Sequence, residues 1–166
     1  MPLQARIAVV SDAAAMARIY NEGIEDRVAT FETRLRSAAD VEAWFDGVHP
    51  MVVVQEGGEG GDGGEVIAFA STSAYRPRDC YAGIAEVSVY VARAWRGKKA
   101  GRVAMEALFD AARSAGFHKL VSRVFPENRA SLRMIAALGF REVGVYRRHG
   151  QLDGEWRDVV IVEKLL

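Results

Sequence analysis

The segment EVSVYVARAWRGKKAGR, residues 86–102, constrains the fold more than any other part of the chain. A β-branched, alternating run leads into glycines and small residues set among cations, and then into a helix. From Lys98 to Ser114 the side chains of Val103, Ala104, Ala107, Leu108 and Ala111 fall on one face, and Gly116 follows the end. A second strand-like run covers residues 119–125. Strand, helix and strand at this spacing predict a βαβ crossover, which joins two parallel neighbours. The 166 residues suit one domain with its own core.

The remaining elements fit around that unit. Residues 5–10 read as a first strand. Ser11 and Asp12 cap a helix that carries Ala15, Met16, Ile19 and Tyr20 at helical spacing. Residues 21–36 are polar but hold Ile24, Val28, Phe31 and Leu35, a pattern for a further helical turn and then a loop. A short helix is predicted from the Ser37 cap to Gly47, with Asp40 in its first turn and Val41, Trp44 and Phe45 on one face. Strands over residues 51–55 and 66–75 flank an acidic glycine tract. Further strands are predicted over residues 81–91, 141–146 and 156–166. Pro126 and Asn128 introduce a helix that ends at Gly139. The fold class is therefore α/β, a mixed and largely antiparallel sheet flanked by helices, in a single domain over residues 1–166. Residues 56–65 hold six glycines and four acids, which predicts a flexible hairpin loop.

The net charge of zero conceals an asymmetry. Residues 56–65 carry −4, whereas residues 93–148 hold thirteen Lys/Arg against four Asp/Glu. Such a basic stretch suits either a solvated surface or a polyanionic partner. Nucleic acid is disfavoured because no base-stacking aromatic pattern accompanies the charge. A helix start exposes unpaired amides and the positive end of a dipole, and Arg96, Lys98, Lys99 and Arg102 add counter-charge. An ordinary basic helix start and a phosphate site both fit this spacing. No apolar run approaches ~18 residues, so no membrane span is expected. The amino-terminal residues lack the pattern of a signal peptide. Cys80 is the single cysteine, no Cys/His spacing suggests a metal, and a cytoplasmic protein is expected.

The order strand, RGKKAG, helix, strand, NRAS, helix, LGF resembles the GNAT superfamily of acyl-CoA N-acetyltransferases. IYNEGIEDRVATFE, Trp44-Phe45, YRPR at residues 75–78, EVSVYV at 86–91 and RRHGQLDGEWRDV near the end resemble one branch of it. That branch comprises the phosphinothricin, methionine sulfoximine and arsinothricin N-acetyltransferases. The resemblance implies acetyl-CoA as cofactor, a small-molecule amine substrate and a homodimer. It implies that the pyrophosphate lies on Gly97, Lys98, Lys99, Ala100, Gly101 and Arg102, with Arg96 beside it. The pantetheine arm would follow the backbone of Val89, Tyr90 and Val91, and Asn128 and Ser131 would also contact the cofactor.

Alternation puts Glu86, Ser88 and Tyr90 on one strand face. An acid there suits either a pairing with a surface arginine or a general base that takes the ammonium proton. The resemblance implies the base. It also places the substrate against Phe31, Arg76, Pro77, Arg78, Tyr81, Val87 and Ser88, and guanidinium groups at Arg76 and Arg78 suit a phosphinate, arsinate or carboxylate. Three positions depart from the family pattern: Lys99 replaces a glycine, Ile135 replaces the tyrosine or histidine of the last helix, and Leu152 replaces a lysine. The proton donor is left among Tyr90, Tyr146, His149 and none. Cys80 is expected to be pocket-side or buried. The alternatives are a GNAT enzyme for a polyamine or a protein N-terminus, and a catalytically silent acyl-CoA-binding module.

Overall fold

Seven strands form one sheet in the order β1-β2-β3-β4-β5-β7-β6 in a computed structural model that describes residues 2–57 and 63–166. The strands are β1 (Leu3–Ile7), β2 (Met51–Glu56), β3 (Val66–Ala74), β4 (Ile84–Val91), β5 (Lys119–Val124), β6 (Arg141–Leu152) and β7 (Glu155–Leu165). The helices are α1 (Ala13–Asp26), α2 (Ala38–Glu42), α3 (Ala100–Ser114) and α4 (Arg129–Ala137). All neighbours pair antiparallel except β4 and β5, the two strands joined by the predicted crossover. No helix among the described residues is long and apolar enough to cross a membrane.

Each face of the sheet carries its own core. Strand alternation sends Val52 and Val54 to the side of α3, where they meet Ile67, Val87, Met105, Leu108 and Leu120. Met51, Val53 and Phe69 point to the other side and pack against Met16, Ile19 and Val41 of α1 and α2. Burial of both faces explains the unbroken apolar run of β2.

Several boundaries differ from the sequence reading. α1 runs unbroken to Asp26 and stops at Arg27, whose φ of 58° is left-handed. Its polar last turn is paired: Glu22, Glu25 and Asp26 face Arg93, and Asp26 also reaches Arg96. β1 ends at Ile7 because residues 10–12 form a tight turn. α2 has the Ser37–Asp40 capping box but ends at Glu42, ahead of Gly47. β4 begins at Ile84, after a single turn at Asp79–Tyr81. β6 is twice its predicted length, since pairing resumes at Gly150 after a bulge with Arg148 at φ 47°. Of the predicted hairpin loop, residues 58–62 lie outside the described residues.

An ion pair between a buried carboxylate and a half-exposed guanidinium joins β1 to the start of α1. The Asp12 carboxylate accepts from Arg6 Nη1 at 2.7 Å, Arg6 Nη2 at 2.8 Å and the Val9 amide at 2.8 Å. The Arg6 hydrogen bonds outweigh the cost of burial and hold the Asp12 carboxyl below its ordinary value. A lowered folded value means a contribution that is full above about pH 4–5 and is lost as the pH falls through that value. Asp12→Asn should therefore cost ~1–3 kcal/mol at neutral pH. Urea unfolding of both proteins should show the difference shrinking as the pH is lowered toward about 2.

Candidate active site

β4 and β5 pair only between Ile84–Lys119 and Glu86–Val121. Past that point β4 stays on β3, to Val91 opposite Ala68, and β5 stays on β7, to Val124 opposite Val160. Each strand is held by its other neighbour, so the two diverge. Ser122 Oγ donates to the Val87 carbonyl at 2.9 Å across the start of the gap. Beyond it the backbone groups of β4 that point toward β5 have no strand partner, and such groups require one from elsewhere.

β4 then leads into the turn before α3. Gly97 has φ 77°, and Lys99, at the helix N-cap, has φ 68° and ψ 7°. Lys99 thus takes the left-handed conformation that glycine takes without strain. The first amides of α3 have no partner inside the helix. Gly101 lies so close to α4 that an added Cβ would stand 3.2 Å from Met134 Sδ. Among the described residues Lys98 and Lys99 make no ion pair, Arg102 pairs with Glu106 at 3.0 Å, and Arg96 pairs with Asp26 at 2.5 Å. Asn128 caps α4 through its own Oδ1, which accepts from the Ser131 amide.

On the α1 and α2 side of the gap lies a cavity of about 580 Å³. β4 gives it Glu86, Ser88 and Tyr90, β5 gives Arg123 and Phe125, and the loop after α1 gives Thr30, Phe31 and Glu32. Two glycines shape its walls. A Cβ on Gly23 would stand 2.9 Å from the Tyr90 ring, and one on Gly150 would stand 2.9 Å from Phe31. Phe31 in turn packs edge-on against Phe125, with centroids 4.9 Å apart. Tyr90 packs against Tyr20 and Phe69, and burial pushes its phenol well above the ordinary value.

Three carboxylates and one guanidinium line the cavity, and each carboxylate has its own partner. Desolvation would raise Asp46, but the His49 amide, the His49 ring and the Val48 amide overcome it and lower the carboxyl to about 2. Glu32 pairs with Arg36 at 2.8 Å. Glu86 Oε1 accepts from Arg123 Nη2 at 2.8 Å.

The structure brings Phe31, Glu86, Val87, Ser88 and Tyr90 together around one cavity, and the gap runs on along Val89 and Val91 to the turn. Arg76, Pro77, Arg78 and Tyr81 stand outside the lining, in the exposed connection that starts just beyond Ala74. The Arg76 guanidinium stacks on the Tyr75 ring at 5.0 Å. Of the proton-donor candidates, Tyr90 lines the cavity, whereas Tyr146 and His149 pack on each other along β6. Ile135 is buried in the α3-side core. Cys80 is exposed, not buried, because it sits on the turn before β4. The sequence reading missed Arg123. The signal for it was alternation along β5, which puts Arg123 on the same face as Val121.

The profile of the Acetyltransferase (GNAT) family matches residues 16–140. The chain is 31% identical to the L-methionine sulfoximine/L-methionine sulfone acetyltransferase of Pseudomonas paraeruginosa, over 98% of this chain and 94% of that protein. It is 30% identical to the phosphinothricin N-acetyltransferase of Streptomyces coelicolor, over 99% of this chain and 96% of that one. Among solved structures, yncA of Salmonella typhimurium, with its cofactor acetyl-CoA, superposes with a TM-score of 0.91 at 29% identity. That match covers 100% of this chain and 95% of the other.

The two left-handed positions of the turn generate paired expectations. Lys99→Gly removes the strain of a side chain at positive φ and should raise stability by about 0.5–1 kcal/mol. Gly97→Ala imposes that strain where an added Cβ meets no atom within 4 Å, and should cost ~1–2 kcal/mol. Chemical unfolding of the two variants should show the opposite signs; the same sign in both would mean that backbone strain does not govern the turn.

Proposed function

The chain belongs to the Acetyltransferase (GNAT) family, and from that premise we propose an acetyl-CoA-dependent N-acetyltransferase. Its substrate is the α-amine of a small anionic amino acid of the phosphinothricin, methionine sulfoximine or arsinothricin type. The observation that carries the reading is the gap between β4 and β5. Glu86 stands at its closed end, a cavity opens on one side, and an amide-rich basic turn lies at the far end of the same strand.

The donor set suits acetyl-CoA. A free strand edge offers amide and carbonyl partners to a pantetheine arm, along Val89, Tyr90 and Val91. The amides of Gly97, Lys98, Lys99, Ala100, Gly101 and Arg102 suit a pyrophosphate at a helix N-terminus. Asn128 and Ser131 border the same end of α4. When bound, acetyl-CoA supplies the acetyl group and the thiolate that leaves. Glu86 takes a proton from the substrate ammonium, so that the nitrogen lone pair is free, and later passes it to water. Arg76 and Arg78, just beyond Ala74 at the edge of the cavity, receive the side-chain oxygens, anionic in a phosphinate or arsinate and neutral in a sulfoximine. The lone exposed thiol of Cys80 supports a reducing, cytoplasmic setting. Val143, Val145 and Tyr146 of the edge strand β6 and Trp156 of its neighbour β7 are exposed, which supports a homodimer.

One observation favours a second reading: carboxylates outnumber the guanidinium in the lining, as an amine without an anion would require. A thiol-release assay with anionic amino acids, polyamines and peptide N-termini separates the two. Turnover of the polyamines or peptides alone would reject the amino-acid reading.

With a productive substrate, Glu86→Gln should lower kcat by about 10²–10⁴-fold and leave acetyl-CoA binding in place. Full activity in that variant would make Glu86 structural. Arg76→Ala and Arg78→Ala should each raise KM for phosphinothricin by about ten- to a hundredfold, with little change in KM for acetyl-CoA. Steady-state kinetics that show no change in either variant would place the side-chain anion elsewhere.

A further inference from the structure

We propose that the Glu86–Arg123 pair is the receptor for the substrate's α-amino-acid group, with Arg123 binding the α-carboxylate. The inference rests on the amino-acid reading above and adds a residue to it. Arg123 is the only cation among the described residues that line the cavity. Its guanidinium reaches across the gap from β5 and donates to Glu86 at 2.8 Å. An α-amino acid carries an ammonium and a carboxylate on one carbon. Glu86 and Arg123 present the opposite charges, in contact, on the wall of the same cavity.

The other charged groups of the lining are committed elsewhere. Asp46 is held by two backbone amides and the His49 ring, and Glu32 by Arg36. Neither partner lines the cavity, so breaking those contacts brings a ligand no second charge to meet. The Glu86–Arg123 pair is different, because both members face the ligand space. Arg123 is half-exposed, and an ion pair in contact with water contributes little, so exchange of partners costs little. A carboxylate that enters takes the guanidinium, which prefers a planar bidentate partner. Glu86 is then left beside the ammonium with its oxygens free, and the ammonium proton moves to its carboxylate. An amine without an α-carboxylate leaves Arg123 on Glu86, and the base stays engaged. Recognition of the carboxylate and release of the base are thus one event.

Methionine sulfoximine tests this cleanly, because its side chain is neutral and the α-carboxylate is its only anion. The probes are methionine sulfoximine and its α-carboxamide. Binding is read by calorimetry and turnover by thiol release, in wild type, Arg123→Gln and Arg123→Lys, with melting curves as the check of folding. Wild type should prefer the carboxylate over the carboxamide by about ten- to a hundredfold in both readouts. Arg123→Gln should reduce that preference to within about threefold, and Arg123→Lys should keep part of it, since an ammonium lacks the planar fork. An unchanged preference in Arg123→Gln overturns the proposal while the amino-acid reading stands. If Arg123→Gln does not fold, an unchanged preference in Arg123→Lys overturns it instead. Wild type that neither binds nor acetylates any α-amino acid overturns the amino-acid reading and this proposal together.

Discussion

β4 cannot follow β3 and β5 at the same time, and the rest of the site depends on that. It keeps its register with β3 along its full length, while β5 keeps its register with β7. The two share only residues 84–86 and 119–121. A parallel pair opened in mid-sheet leaves backbone donors and acceptors without partners, at a cost comparable to lost hydrogen bonds. Ser122 offsets part of it by donating to Val87. The remainder of the edge stays unpaired with β5, and it is there that the proposed pantetheine arm would bring its own amides and carbonyls. Glu86 is the last residue of β4 paired with β5, so the same divergence sets the position of the carboxylate.

The loop after α1 is held from two directions, which gives the cavity a defined wall. At its start, Asp26 binds both Arg93 and Arg96, and the Arg93 hydrogen bond leads the effects that hold the Asp26 carboxyl below its ordinary value. Arg96 belongs to the turn before α3, so α1 and the basic turn are joined by a charge-assisted contact. On the other side, Arg27 pairs with Asp153 at the tip of the β6–β7 hairpin, and Phe31 rests on Gly150. Leu152, Phe125 and Val159 form a small buried cluster beneath Phe31. The departure from the family pattern at Leu152 therefore has a local meaning. That side chain is 2% exposed and supports the Phe31 wall of the cavity from behind.

Local and periodic features could be read from the chain. Ser37 and Asp40 form their reciprocal cap, Gly116 follows α3, and the βαβ crossover joins the strands that the pattern indicated. The cavity-side face of β4 follows from alternation alone. The misses concern partners distant in sequence. The further helical turn expected after Tyr20 is present, but nothing local shows that Arg93 and Arg96, about 70 residues later, satisfy its acids. Where Arg76 and Arg78 stand relative to the cavity was also not legible: the strand ends at Ala74, so they lie on the exposed connection at its edge and not in the lining. Arg123 looked like one surface arginine of many. Its role depends on the pairing of Val121 with Glu86, and a register between strands 35 residues apart is not written in either strand.

The burial of Ile135 and the environment of Tyr90 bear jointly on the proton balance. In family members with a tyrosine at the Ile135 position, the resemblance assigns that phenol to the departing thiolate. Here the position is 3% exposed within the α3-side core, so the helix presents no acid at that point. Tyr90 is the phenol that remains on β4, and it does not fit the same task. An ordinary phenol, near ~10, is already a weaker acid than an alkyl thiol near ~8.5. Burial and the neighbouring Tyr20 push Tyr90 further up, so proton transfer from it to a thiolate runs uphill. Its raised value keeps the hydroxyl protonated throughout the neutral range, which suits a hydrogen-bond donor that stays a donor. In the proposed reaction Glu86 removes the proton, and the thiolate takes its own from the amine nitrogen or from water.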